Sequence, residues 1–222
     1  MEIIEYQPHF YILDDGQVRE FLIIGESRAL LIDTGFPNNH INEEVRKLTS
    51  KRIDVLLTHG DKDHCGNLSA FSRCYMHEND RCMIKEQISI NYLDDSDEIS
   101  IAGYCFHVIH IPGHTSGSIA LLDKNKKLLL PGDSVQTGPI YMFGKHRNLD
   151  DYIDSLKKLK RMQRHINTII PSHHQYPLNA EYISYCLDDA LLLKEGKLQG
   201  ISHPSLPCYE YQGEHIKFYY DK

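Results

Sequence analysis

Histidine and aspartate gather at four places in this 222-residue chain: Thr58-His59-Gly60-Asp61-Lys62-Asp63-His64, Pro112-Gly113-His114, Gly132-Asp133 and Pro171-Ser172-His173. The first is the densest, with four possible metal ligands within six residues in the order His-x-Asp-x-Asp-His. On an extended loop, residues 59, 61 and 63 share one side while 64 points elsewhere, a layout that can feed two cations. Neutral imidazole and ionised carboxylate are donors that suit zinc, iron or manganese. Packing so many carboxylates beside histidines costs free energy unless a cation compensates.

Each of the four places follows a predicted strand: Ile53–Leu57, Tyr104–Ile111, Leu128–Leu130 and Thr168–Ile170. Strand ends let a rigid sheet present side chains into one cleft. Ahead of them, Phe21–Ile24 and Ala29–Ile32 flank Gly25-Glu26-Ser27-Arg28 and predict a hairpin, which Asp33-Thr34-Gly35 ends. Ile119–Leu122 predicts a strand beside Leu128–Leu130, and His215–Tyr220 a last one. Helices are expected over about 39–48, 149–162 and 179–194. Strands and helices in mixed order point to a layered α/β architecture, and the length makes one domain over 1–222 the default.

Thr58-His59-Gly60-Asp61-Lys62-Asp63-His64-Cys65-Gly66 resembles the signature loop of the metallo-β-lactamase superfamily, T-H-x-H-x-D-H-x-G. Four further motifs agree in order: Asp33-Thr34-Gly35 resembles the family's structural Asp motif, Pro112-Gly113-His114-Thr115-Ser116-Gly117-Ser118 its G-H-T-x-G-S loop, Gly132-Asp133 its bridging aspartate and Pro171-Ser172-His173 its final histidine. The resemblance covers about 33–173 and implies a four-layer αββα sandwich. It implies that His59, Asp61 and His114 hold one divalent cation, that Asp63, His64 and His173 hold a second, and that Asp133 bridges them. Zinc is the first expectation. Position 61 departs from the pattern, because most members carry histidine there, and the harder, anionic oxygen of Asp61 admits iron or manganese. Asp33 is expected to brace the loops by hydrogen bonds.

Such a pair of cations lowers the pKa of a shared water from about 15.7 towards neutrality and presents hydroxide to a carbonyl or phosphorus. Asp63 is the expected catalytic carboxylate, orienting that hydroxide and moving its proton. Three carboxylate ligands make the hydroxide more nucleophilic and the metals weaker Lewis acids, so the expected substrates are small esters, lactones, thioesters or phosphoesters before unstrained amides. A loop over 134–147 follows Asp133, and in related hydrolases this region lines the cleft. Tyr141, His146 and Arg147 from it, with His174 and Tyr176 beside the last histidine, are the candidate substrate-binding residues. Cys65 reads as a small buried residue and not a thiolate ligand. The remaining histidines have no ligand spacing.

The formal net charge of −7 disfavours a nucleic-acid partner, and the basic run at 157–165 reads as the solvated face of a helix. The span from His114 to His173 also lacks room for the inserted domain of the nucleic-acid-cutting branch. No apolar run reaches the roughly 20 residues of a membrane span, the first residues do not resemble a secretory signal, and the six cysteines form no CxxC pair. The expectation is a cytoplasmic enzyme acting on a small molecule, with no membrane partner and no oligomeric state fixed by the pattern. Fewer than 50 residues follow His173, too few for the helical glutathione-binding domain of glyoxalase II. Two rival readings are a non-haem iron redox enzyme, such as a sulfur dioxygenase or an oxygen or nitric oxide reductase, kept open by Asp61, and a non-catalytic metal or ligand sensor.

Overall fold

In the computed structural model, which describes residues 1–221, the first strands form an antiparallel meander: β1 (Glu2–Gln7), β2 (Phe10–Asp14), β3 (Arg19–Ile24) and β4 (Arg28–Ile32). The hairpin expected around Gly25–Arg28 is β3–β4. Helix α1 (Ile41–Leu48) then carries the chain over to β5 (Arg52–Leu56), which pairs with β4 in parallel. The one-turn α2 (Lys62–Cys65) follows, and β6 (Arg73–Met76) and β7 (Ser89–Tyr92) complete a seven-stranded sheet in chain order. A hairpin of β8 (Glu98–Ile101) and β9 (Tyr104–His110) comes next.

Strands β4 and β5 are buried along almost their whole length, so Ala29-Leu30-Leu31-Ile32 and Val55-Leu56-Leu57 read as continuous apolar runs, and the buried Asp54 between Ile53 and Val55 is paired with Arg28 and Arg52. Leu31, Val55 and Leu57 join Ile41, Val45, Cys65, Leu68 and Met76 in one cluster. Each such side chain contributes about 1.5–3 kcal/mol on full burial. The parallel register matters for chemistry. Ile32 lies opposite Leu56, and Asp33 N donates to Leu56 O at 2.8 Å, so Asp33 and the Thr58-His59 segment leave the sheet side by side.

Contacts divide the chain after Ile109, and the second unit repeats this device. β10 (Ile119–Asp123) and β11 (Leu128–Leu130) form a hairpin, β12 (Ile140–Met142) leads to α3 (Leu149–Met162), and β13 (Thr168–Ile169) pairs with β11 in parallel. The ends of β11 and β13 therefore release Gly132-Asp133 and Pro171-Ser172-His173 together, tied by Ser172 N donating to Gly132 O at 3.2 Å. Helix α4 (Glu181–Lys194) packs on α3. The last strands, β14 (Gly200–Ser202), β15 (Tyr209–Gln212) and β16 (Lys217–Tyr220), join β12 in a four-stranded sheet of order β12-β16-β15-β14.

Helix α3 starts where expected because Asn148 accepts from the backbone N–H of Asp150 and Asp151, at 2.9 and 3.1 Å. Its apolar stripe of Leu149, Tyr152, Ile153, Leu156 and Leu159 is buried, which leaves Lys157, Lys160, Arg161 and Arg164 of the basic run exposed. Two local expectations are corrected. The stretch 61–64 is not extended: His64 N and Cys65 N both donate to Asp61 O at 3.0 Å, coiling it into α2. Gly66 enforces the coil by seating on the Asp33 loop, with its N–H on Gly35 O at 2.9 Å and no room for a Cβ beside Pro37 N. The loop over 134–147 also contains strand β12, formed because β16 supplies a partner far downstream, Ile140 lying opposite Phe218 and Met142 opposite Tyr220. Among the described residues, no helix is long and apolar enough to cross a membrane.

Candidate metal centre

Each unit carries one part of the predicted ligand set. In the first, Asp33 sits at φ 62°, a left-handed conformation that an aspartate tolerates better than most residues, and this turns its carboxylate back over the β5 end. Oδ1 accepts from Thr58 N at 2.7 Å, while Oδ2 accepts from Thr58 Oγ1 at 2.8 Å and lies 2.8 Å from His64 Nδ1. Asp33 is thus the brace that the sequence suggested. His64 is fixed from the other side as well, since its carbonyl accepts Thr34 N at 2.7 Å and Thr34 Oγ1 at 3.0 Å.

These bonds assign the imidazole tautomers. The carboxylate of Asp33 requires a proton on His64 Nδ1, which leaves the lone pair on Nε2. Thr58 gives its only hydroxyl proton to Asp33, so its oxygen accepts from His59 Nδ1 at 3.0 Å, and His59 also keeps its lone pair on Nε2. In the second unit, His114 Nδ1 lies 3.1 Å from the carbonyl of Tyr141 on β12, with the same result. A histidine whose outer nitrogen donates to a carboxylate, hydroxyl or carbonyl is oriented to bind metal through the inner one.

The inner nitrogens all face carboxylates. His59 Nε2 is 3.4 Å from Asp61 Oδ2 and His64 Nε2 is 3.9 Å from Asp63 Oδ2. In the second unit a single atom, Asp133 Oδ2, lies 3.6 Å from His114 Nε2 and 3.3 Å from His173 Nε2. Charge-assisted hydrogen bonds close to about 2.7–2.9 Å, so these gaps are wider than direct hydrogen bonds between the pairs would leave. Two donors each 2.0–2.2 Å from a tetrahedral cation lie roughly 3.3–3.6 Å apart, which three of the four separations match. The Asp63–His64 pair is opened beyond that angle. On this geometry the residues present fit a divalent metal. His59, His64 and His114 are at most 2% exposed and Asp133 is 7% exposed, while Asp61, Asp63 and His173 stay half-buried, as a reachable site needs.

Burial raises the Cys65 thiol to about 12, and its Sγ–H points to Gly60 O at 3.5 Å, so it is a buried thiol as expected. Sequence reasoning missed several supports. Asp80, 1% exposed, accepts Gly60 N at 2.9 Å and holds the loop between His59 and Asp61. Asn67 Nδ2 lies 2.7 Å from each of Thr34 O, Phe36 O and Asn39 Oδ1, stitching the Asp33 loop to the turn after α2. Gly113, at φ 135°, lies so close to Tyr152 of α3 that a Cβ would sit 2.3 Å from its backbone, so α3 is pressed against the His114 loop. Only that glycine hints at such contacts in the sequence.

The five substrate candidates divide. Tyr141 adjoins His114 through its carbonyl, and the residue is 40% exposed. The His174 ring lies over Gly138, leaving no space for a Cβ there, with its centroid 6.1 Å from that of His173. Tyr176 and His146 are half-buried. Arg147 faces a polar recess of about 390 Å³ with Asp150, Lys194 and Tyr220. Of the histidines set aside, His107 lies 3.0 Å from Glu98, His203 meets Tyr219 edge-on and His215 stacks on Tyr185.

A family model described as the metallo-beta-lactamase superfamily matches residues 13–173. Among characterised relatives, a chicken (Gallus gallus) acyl-coenzyme A thioesterase, MBLAC2, is 32% identical over 101 residues, 41% of this chain and 36% of its own length. A hydroxyacylglutathione hydrolase of Aeromonas salmonicida is 26% identical over 193 residues, 84% of this chain and 74% of its own. The chain thus spans about a third of the thioesterase and three quarters of the hydrolase. A solved metallo-beta-lactamase from Pontibacter korlensis superposes with a TM-score of 0.73 at 17% identity, over 86% of this chain and 98% of that one. The mixed α/β fold expected from the sequence is that of these neighbours, and the chain belongs to the metallo-β-lactamase superfamily.

Proposed function

We propose that the chain is a metal-dependent hydrolase of a small ester, lactone, thioester or phosphoester, with thioesters the first class to try. In this reading, which follows the order of the motifs, Asp63, His64 and His173 hold one divalent cation, His59, Asp61 and His114 hold the other, and Asp133 serves both. The observation that carries it is Asp133 Oδ2, within 3.6 Å of the Nε2 atoms of both His114 and His173. Within the first unit, two further His–Asp pairs, His59 with Asp61 and His64 with Asp63, offer the same donor types. Bound cations supply Lewis acidity and a water acidic enough to attack at neutral pH. The protein's part is to fix the imidazoles of His64, His59 and His114 through Asp33, Thr58 and the Tyr141 carbonyl. Asp63, half-buried and carboxylate-bearing, takes the proton released in the attack. The relatives named as a thioesterase and a hydroxyacylglutathione hydrolase support acyl transfer to water.

The test is metal analysis of the purified protein together with turnover of an acyl thioester, an aryl ester, a lactone and a phosphodiester. Hydrolysis that stops on chelation and returns with metal is the expected result. Asp61 favours one second reading, an iron redox enzyme, because its hard oxygen sits 3.4 Å from His59 Nε2. Iron content without hydrolysis of any of the four substrates would decide for it.

A further inference from the structure

The outer face of the C-terminal sheet carries an apolar strip that begins at the candidate centre. Cross-strand register aligns Tyr141 of β12 with Tyr219 of β16, Tyr219 with Glu210 of β15, and Glu210 with Ile201 of β14. Their neighbours Ile140 and Phe218 are fully buried on the opposite face, so the aligned set faces outward. Tyr141 is 40% exposed and Ile201 70%, and these are two of only four large apolar side chains that stand out from the described surface. The Tyr219 ring joins them, 4.9 Å from Tyr141 and 4.8 Å from His203, both edge-on. Between Tyr219 and Ile201 the row is interrupted by Glu210, whose carboxylate is ion-paired with Lys217 at 2.6 Å. Four strands about 4.8 Å apart make the strip about 14 Å long.

Its near end is fixed by chemistry. The same residue that starts the strip, Tyr141, holds His114 through its carbonyl. A substrate whose reacting carbon sits beside His114 and whose tail extends past Tyr141 meets aromatic surface next. The exposed apolar area is on the order of 200–300 Å² given the size of aromatic side chains. That is well short of the roughly 800 Å² per partner that a stable protein–protein interface buries. It is of the right scale for one alkyl or aryl chain.

We propose that the Tyr141–Tyr219–His203–Ile201 strip is the subsite for the apolar acyl or aryl group of the substrate, giving the enzyme a preference for medium-length chains. This rests on the hydrolase reading for its reaction but not for its binding. An open face desolvates about half of each methylene, and half of ~0.8 kcal/mol corresponds to about a twofold gain per CH₂. Three measurements test it: kcat/KM for acyl thioesters and p-nitrophenyl esters from acetyl to octanoyl, calorimetric titration with octanoate and acetate, and sedimentation of the free protein. The variants are Tyr219→Ala and Ile201→Ser, both on partly or largely exposed positions.

The expected result is a rise of about twofold per methylene, carried in KM, with octanoate binding more tightly than acetate. Each variant should flatten the chain-length slope and cut the octanoyl-to-acetyl ratio at least fivefold. Octanoate binding weakened by both variants, without hydrolysis of any ester, would leave the subsite standing and remove the reaction. Hydrolysis with a flat chain-length profile and no octanoate binding would do the reverse. A dimer that Ile201→Ser dissolves would make the face an interface between copies of this chain and overturn the subsite.

Discussion

Replacing Glu20 by Gln should make the protein more stable at neutral pH and remove a specific part of its pH dependence. Glu20 lies on β3, fully buried, with Oε1 accepting Asn39 Nδ2 at 3.2 Å and hemmed in by the Gly35 backbone. Burial raises its pKa well above the usual carboxylate value, and the negative charges of Asp15 and Asp33 push it further, against a smaller opposing effect from His64. The folded state therefore keeps this acid protonated where the unfolded chain, with a Glu pKa of about 4.3, has lost the proton. The contribution to stability is complete below the unfolded pKa and is lost as pH rises through the window up to the folded pKa. Within that window it falls by about 1.4 kcal/mol per pH unit. Glutamine has the shape of the neutral acid and no proton to lose. Urea denaturation of both proteins at pH 5, 6, 7 and 8, with metal content held equal, should show the gap widening in favour of the variant by that slope until the pH passes the folded-state pKa, where it levels off. With m near 2–3 kcal/mol/M, midpoints should separate by about 0.5–0.7 M per pH unit. Parallel curves, or a variant less stable at every pH, would refute the assignment of Glu20 as a neutral buried acid.

Asp133→Ala should lose two-metal occupancy because one oxygen serves both His114 and His173, and elemental analysis showing two full sites would remove its shared role. Asp61→His replaces a hard oxygen by nitrogen and should shift the competition between iron and zinc towards zinc; an unchanged metal profile would mean that the side chain is no ligand. Asp189 of α4 is fully buried and accepts the N–H groups of Glu214, His215 and Ile216 at 2.8–2.9 Å, pinning the turn before β16. Asp189→Ala leaves three donors short of a partner, at ~1–3 kcal/mol for each that water cannot reach, so thermal unfolding should drop by at least 4 °C. A change under 1 °C would show the turn to be held by other contacts.

The sequence by itself determined the donor types, their order and the strands that deliver them. Apolar runs such as Ala29–Ile32 and Leu128–Leu130 end abruptly in polar residues, and that change of character is local. The hairpin, helix α3 and the bracing role of Asp33 were legible for the same reason: a turn signal, an apolar period and a motif are each contained in a short stretch of chain. Only the tertiary structure decided what depends on partners far along the chain. The Nδ1 contacts of His64 and His114 come from Asp33 and from the Tyr141 carbonyl, 31 and 27 residues away. Strand β12 exists because β16 pairs with it, and β1, β2, β14 and β15 carry no pattern strong enough to declare themselves without their neighbours. The coiling of 61–65 was hidden too, because it is Gly35 and Pro37, packed against Gly66, that leave the segment no room to run straight. Residue types are written in the chain, whereas the direction in which a lone pair points is set by whatever holds the other side of the ring.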